Sequence, residues 1–243
     1  MTTQGNRLEG KVAIVTGAGA TGSGEFVGIG QAISLLFCRQ GAKVLLVDRD
    51  EKNADITQAQ IKEEGGDAAV FVGDVTNIDS CQEMTETAVK TYGKLNVLIN
   101  NVGISGPGSV TDVAEDFWDT VIDVNLTGTF LMCQAGLPSL LEGGGNIVNM
   151  SSIAGLIGQP WTAAYSASKG GVLSLTRTLA VEYGKQGLRA NAVCPGSVMT
   201  AMHDQFSLPE GADAKLLKRI MPLDQFRGPE TAAALVAFLA SDD

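Results

Sequence analysis

Lys11-Val-Ala-Ile-Val-Thr-Gly-Ala-Gly-Ala-Thr-Gly-Ser-Gly-Glu-Phe-Val-Gly-Ile-Gly30 is the stretch whose reading decides the fold. It begins with an unbroken apolar run bounded by glycine, the pattern of a strand covered on both faces. Beyond the glycines, Ile29, Ile33, Leu36 and Phe37 recur at helical spacing, and the helix stops at Gly41. Lys43-Val-Leu-Leu-Val-Asp48 repeats the buried-strand pattern and closes a β-α-β unit.

Working outward, the alternation continues with a helix over 51–64, a strand at 69–72, a helix through 79–92 and a strand at 95–100. A long helix over 116–141, a strand at 146–150, a helix over 162–183 and a strand at 189–193 follow. This order specifies an α/β architecture of Rossmann type: a doubly wound parallel sheet with helices on both faces and ligand loops at the carboxyl ends of its strands. With 243 residues, no linker-like stretch and no internal repeat, the chain reads as a single domain over 1–243.

Composition removes several classes of function. Apolar residues make up 44% of the chain, yet no run reaches the roughly 18 residues that span a bilayer. Residues 1–10 lack the apolar stretch of a secretory signal, so the expectation is no membrane association and a cytoplasmic location. Cys38, Cys81, Cys133 and Cys194 lie far apart with no C-x-x-C and a single histidine, His203, which predicts buried, reduced thiols and no metal site. A formal charge of −10 without any lysine and arginine cluster repels phosphate backbones and excludes nucleic acid as a partner.

The glycine-rich turn after the first strand can bring backbone N–H groups and a helix N-terminus against a pyrophosphate, although a flexible loop would look similar. Two registers compete: the literal G-x-G-x-x-G from Gly17 to Gly22, and a split version of Gly17 with Gly28-Ile-Gly30. The split one is preferred, because Gly28 and Ile29 sit where the following helix presents its positive end. Asp48 ends the second strand, where a carboxylate accepts hydrogen bonds from both adenosine ribose hydroxyls and repels a 2′-phosphate. That favours NAD over NADP, with Arg49 softening the repulsion and a merely solvated strand-end carboxylate as the alternative.

Tyr165-Ser-Ala-Ser-Lys169 sets a phenol and an ammonium one helical turn apart on one face. Positive charge near the phenol favours phenolate, and Lys169 together with an oxidised nicotinamide ring would move Tyr165 from its ordinary pKa near ~10 toward working pH. Such a pair also arises by chance as a half-buried tyrosine beside a surface lysine. Ser152 follows the strand at 146–150 and precedes Tyr165 by 13 residues. Its hydroxyl can polarise a carbonyl, the plainer reading being an N-cap or turn hydroxyl, which also fits Ser151 beside it.

From Lys11 to Asp243 the chain resembles the short-chain dehydrogenase/reductase family in its classical branch. The resemblance rests on Thr16-Gly17 with Gly28-Ile-Gly30, Asn100-Asn-Val-Gly103, Asn125 in Val-Asn-Leu-Thr-Gly, Ser152, Tyr165-x-x-x-Lys169 and Pro195-Gly-Ser-Val-Met-Thr200, all in family order. It implies that Tyr165 moves the hydroxyl proton and Ser152 orients the reacting oxygen. It further implies that Lys169 binds the nicotinamide ribose while lowering the tyrosine pKa, and that Asn125 completes a tetrad by holding a water of the proton relay; bending its helix is the plainer role for Asn125. By the same resemblance Asp74 and Val75 contact adenine, Asn101, Val102 and Gly103 line the cofactor, Val198 and Thr200 hold the carboxamide, and Pro195 and Gly196 shape that wall.

The pattern is broken in three places. Ten residues, 18–27, separate Thr-Gly from Gly-x-Gly where the family has three, an insertion that would wrap the pyrophosphate or approach a neighbouring subunit. Val102 replaces the family's more usual alanine and narrows the space beside the cofactor. Residues 238–243 end before the family's last strand, read as a shortened record, the other reading being a sheet with an exposed edge.

Residues 200–230 are expected to form a lid over the substrate. With Ile153, Trp161, Met199, Met202 and Phe206 nearby, the pocket should be apolar and suit a secondary alcohol or ketone on a hydrophobic or cyclic skeleton, unless these side chains only pack the core; His203 falls on the lid surface. Helices 116–141 and 162–183 carry apolar positions on more than one face, which together with the resemblance predicts a homotetramer. Two alternatives accompany the NAD-dependent dehydrogenase: a 3-oxoacyl thioester reductase on the same fold, and a non-catalytic NAD-binding regulator.

Overall fold

The computed structural model of the protein describes residues 5–20, 28–200, 208–220 and 226–243. Six parallel strands form one sheet in the order β3-β2-β1-β4-β5-β6. They are β1 (Val12–Thr16), β2 (Lys43–Asp48), β3 (Asp67–Val72), β4 (Val97–Asn100), β5 (Asn146–Met150) and β6 (Arg189–Val193). The chain winds outward from β1 in one direction and then, after β3, crosses back to β4 on the other side. The reversal between β1 and β4 opens a crevice at their carboxyl ends, where doubly wound sheets bind ligands.

The helices follow the expected alternation: α1 (Ile29–Arg39), α2 (Glu51–Glu63), α3 (Ile78–Tyr92), α4 (Glu115–Ile122), α5 (Gly128–Leu141) and α6 (Ala163–Tyr183). Strand side chains divide by parity between two cores, as a pleat requires. Ala13, Val15, Val44, Leu46, Ile99 and Val148 pack with Ile33 and Phe37 of α1 on one face. Ile14, Leu45, Val47, Leu98 and Ile147 pack with Met84 of α3 and Met132 of α5 on the other.

Three features depart from the sequence expectation. The helix predicted over 116–141 is interrupted at Asp123–Thr127 by a π-turn joining α4 to α5. Inside the segment predicted as a lid, α7 (Lys215–Ile220) forms, and beyond it α8 (Pro229–Ala240) closes the first core with Ala233, Val236, Ala237 and Ala240. Of the thiols, all free, Cys81 and Cys133 are buried as expected, but Cys38 and Cys194 are only partly covered.

Candidate active site

Thr16 ties the two sides of the crevice together. Its buried hydroxyl donates to the Ile99 carbonyl at 3.2 Å and accepts from the Asn101 and Val102 N–H groups at 3.0 and 3.3 Å. Asn101 Nδ2 in turn donates to the carbonyls of Thr16 and Gly17, each at 3.1 Å. The sequence motif does not show the partners of Thr16, whose cross-link from β1 to the β4 loop makes Asn101 and Val102 one wall with the glycine turn. Val102 packs directly on Gly17.

Helix α1 starts at the crevice with Gly28 as its N-cap, no side-chain cap and no acidic residue in its first turn. Among the described residues no side chain caps its opening amides, the groups that can meet an anion. Gly30 allows the approach: an added Cβ would come 2.0 Å from the Gly17 carbonyl oxygen and 2.6 Å from Asn101 Nδ2. The competing register through Gly22, and most of the insertion, lie outside the described residues. The insertion's first residues dock on β2 and α2. Ala18 N–H donates to the Val47 carbonyl at 3.1 Å, Gly19 N–H to Asp48 Oδ2 at 2.8 Å, and Ala20 N–H to the Asn53 carbonyl at 2.9 Å. Asp48 also accepts from Asp50 N–H at 3.0 Å through Oδ1, so its carboxylate is aimed by two backbone donors at the end of β2 and keeps further lone pairs for a ligand. Asp74 accepts from the Thr76 N–H and hydroxyl at 2.9 and 2.8 Å, which hold its carboxyl below the usual range, Arg49 adding to the effect. Val75, beside it, is buried. These glycines, carboxylates and open amides fit a dinucleotide.

At the end of β5, Ser152 takes extended backbone and its hydroxyl accepts from Ala154 N–H at 3.2 Å, capping the short 3₁₀ turn Ile153–Gly155. That is the cap role weighed as the plainer reading of Ser152. Ser151 instead donates to the Lys169 carbonyl at 2.8 Å. Tyr165 stands in the first turn of α6 and Lys169 one turn on, with Nζ 5.7 Å from the centre of the tyrosine ring. Lys169 is buried, donates to the Met150 carbonyl at 2.8 Å, and is pulled down to about 8 by the loss of water around its charge. Gly103 backs onto that ammonium.

Around Tyr165 the protein's own groups act in opposite directions. Burial raises its pKa, and the Ser152 hydroxyl facing it recovers only part of that rise. Desolvation of the phenolate is the larger of the two effects, and Lys169 Nζ spends a hydrogen bond on Met150.

Asn125 lies fully buried in the π-turn. Its Oδ1 accepts from Ile104 N–H at 2.8 Å, and its Nδ2 donates to the Ile104 carbonyl at 2.9 Å and to Ser168 Oγ at 3.0 Å. The side chain therefore pins the β4 loop to α6. Ser168 escaped the sequence reading because its partner lies 43 residues away.

On the open side, Pro195 accepts from Ile153 N–H at 3.1 Å, Gly196 lies against Ile153, and Val198 bridges to Arg227, leaving Met199 partly exposed. Thr200 ends this described segment. Trp161 adopts φ of 60°, a strained conformation for a bulky residue, and its carbonyl accepts from Gly108 N–H at 2.9 Å. Met202, His203 and Phe206 lie outside the described residues. Among the described residues no cluster of histidine, cysteine, aspartate and glutamate could hold a metal ion, and no helix is long and apolar enough to cross a membrane.

Residues 22–243 match the family model described as enoyl-(acyl carrier protein) reductase. The 3-oxoacyl-[acyl-carrier-protein] reductase FabG of Thermotoga maritima is 40% identical, the match covering 98% of this chain and 93% of that protein. The 2-(S)-hydroxypropyl-CoM dehydrogenase 3 of Xanthobacter autotrophicus is 42% identical over 98% of this chain and 92% of its own. A crystal structure from Burkholderia xenovorans, assigned to short-chain dehydrogenases/reductases, superposes with a TM-score of 0.87 at 36% identity, covering 98% of this chain and 91% of that one.

Proposed function

The chain belongs to the short-chain dehydrogenase/reductase family, a family of nicotinamide-dependent oxidoreductases, and from that premise we propose that it interconverts a secondary alcohol and a ketone with NAD as cofactor. The observation that carries this reading is the partly buried Tyr165 phenol, with the Lys169 ammonium 5.7 Å from its ring centre and the Ser152 hydroxyl facing it.

In the oxidative direction Tyr165, as phenolate, takes the proton from the substrate hydroxyl while Ser152 holds the substrate oxygen. When bound, the nicotinamide would supply the hydride acceptor and, oxidised, a further positive charge in the site. Lys169, anchored on Met150, adds the second positive charge that offsets the cost of a buried phenolate. In reduction the neutral phenol returns the proton. Gly17, Gly28 and Ile29 would hold the pyrophosphate, Asp48 the adenosine ribose, Asp74 and Val75 the adenine, and Asn101, Val102, Gly103, Pro195, Gly196, Val198 and Thr200 the nicotinamide side.

Asp48 supports NAD over NADP, because a carboxylate already aimed by Gly19 and Asp50 accepts from ribose hydroxyls and repels a 2′-phosphate. Ile153, Trp161 and Met199 support an apolar or cyclic small-molecule substrate. Free thiols agree with the cytoplasm, and exposed apolar side chains on α4 to α6 support a homotetramer. Turnover of NAD⁺ and NADP⁺ with a panel of cyclic and aliphatic secondary alcohols tests the reading. The expected result is a preference for NAD⁺ that Asp48→Ser relaxes; a preference for NADP⁺ in the unaltered protein overturns the cofactor assignment.

The Thermotoga relative favours a second reading, reduction of a 3-oxoacyl thioester. Faster turnover of acetoacetyl-CoA than of any simple ketone would select it.

A further inference from the structure

The peptide units that carry Tyr165 and Lys169 are gripped by two serines to which the proposed chemistry gives no part. Ser168 is fully buried. Its hydroxyl donates to the Tyr165 carbonyl at 2.7 Å and accepts from Asn125 Nδ2 at 3.0 Å. Because both ends of the Asn125 amide are fixed on the backbone of Ile104, a continuous line of hydrogen bonds runs from the β4 loop, through the π-turn, to the peptide bearing the phenol. One turn along α6, Ser151 donates to the Lys169 carbonyl at 2.8 Å from the end of β5. Gly155 presses on the same peptide, where an added Cβ would come within 2.7 Å of the Lys169 carbonyl carbon.

A helical serine bonded to the carbonyl three residues back is ordinary, and by itself it mildly weakens a helix. Alanine is also the better helix former, so α6 alone has no need of a hydroxyl at 168. What sets Ser168 apart is its second bond to the π-turn, and what sets the pair apart is the choice of carbonyls. Both belong to the residues whose side chains must meet the substrate and each other.

We propose that Ser168 and Ser151 are positioning residues, two buried hydroxyls that fix the peptide units of Tyr165 and Lys169 and thereby the distance between phenol and ammonium on which proton transfer depends. This rests on the reading of Tyr165 as the proton-transfer residue. Misplacement of a reacting group by about 1 Å can cost on the order of 100-fold in rate, so slack in either peptide should be visible.

The test needs no physiological substrate. Ultraviolet difference absorbance between the protein and its Tyr165→Phe variant, each saturated with NAD⁺, isolates ionisation of the Tyr165 phenol, on which Lys169 and Ser152 bear. Repeating the titration in Ser168→Ala and Ser151→Ala backgrounds should move its midpoint upward by on the order of half a pH unit, with NAD⁺ affinity changed by less than about twofold. Ser168→Thr, which keeps a hydroxyl able to bond the same carbonyl, should restore it. An unmoved midpoint in both alanine variants overturns the proposal, and if one of them fails to fold the other decides. Undiminished alcohol oxidation by Tyr165→Phe would instead overturn the underlying assignment of Tyr165, and the proposal with it.

Discussion

A lysine deprived of water carries a signature in stability. Burial lowers Lys169 from 10.5 to about 8, so between those values the unfolded chain binds more protons than the folded one and stability rises with pH. The contribution is complete above the unfolded value and is lost as pH falls through about 8. Tyr165, raised by burial, has the opposite sign, its contribution fading as pH climbs past its unfolded value. Urea denaturation of Lys169→Met should show a flatter rise of stability with pH between about 8 and 10.5 than the unaltered protein shows. An identical slope would mean that the ammonium is solvated. The spacing of Tyr165 and Lys169 was legible because four residues on a helix is a local relation. Ser168 and Thr16 were not, since each owes its role to partners from other elements, 43 residues off for Asn125 and 83 for Ile99.

The π-turn shows the same limit among elements. Apolar spacing over 116–141 reads as one helix, and no local residue announces the extra residue in the turn at Asp123–Thr127; what holds it is the Asn125 clamp on Ile104. Asn125→Ala would strand the part-buried Ile104 N–H and carbonyl and remove the donor from which the buried Ser168 Oγ accepts, each orphaned group costing about 1–3 kcal/mol where buried. Thermal or urea unfolding should register at least about 2 kcal/mol, and a loss within error would show that the turn stands without the clamp. Gly30→Ala tests the nucleotide turn, because its Cβ would sit 2.0 Å from the Gly17 carbonyl oxygen. Overpacking of this kind costs about 1–3 kcal/mol, and NAD⁺ affinity measured by calorimetry should fall at least about tenfold; unchanged affinity would remove this turn from the cofactor site. Helix α8 was illegible for a different reason: its alanines fill several faces and leave no apolar period to read.

Across the whole molecule, the doubly wound parallel sheet followed from the sequence because each β-α-β unit is local and its handedness is nearly invariant; the lateral order of the strands did not, since it depends on which edge each crossover reaches. Assembly is a separate matter. Phe117 and Trp118 on α4, Phe130 on α5 and Val181 on α6 are exposed, Val181 at 84%, an apolar surface suited to burial between subunits. Light scattering should give about four times the 25.2 kDa chain mass. Phe130→Glu should lower it; a monodisperse monomer from the unaltered protein would count against the tetramer. The central claim is chemical, and the most direct measurement is the absorbance of reduced nicotinamide formed from NAD⁺ and a secondary alcohol, followed for the protein and for Tyr165→Phe. The account predicts turnover that rises with pH and falls by about 100-fold or more in the variant, whose folding and NAD⁺ affinity are retained. Equal turnover by the two proteins would contradict it.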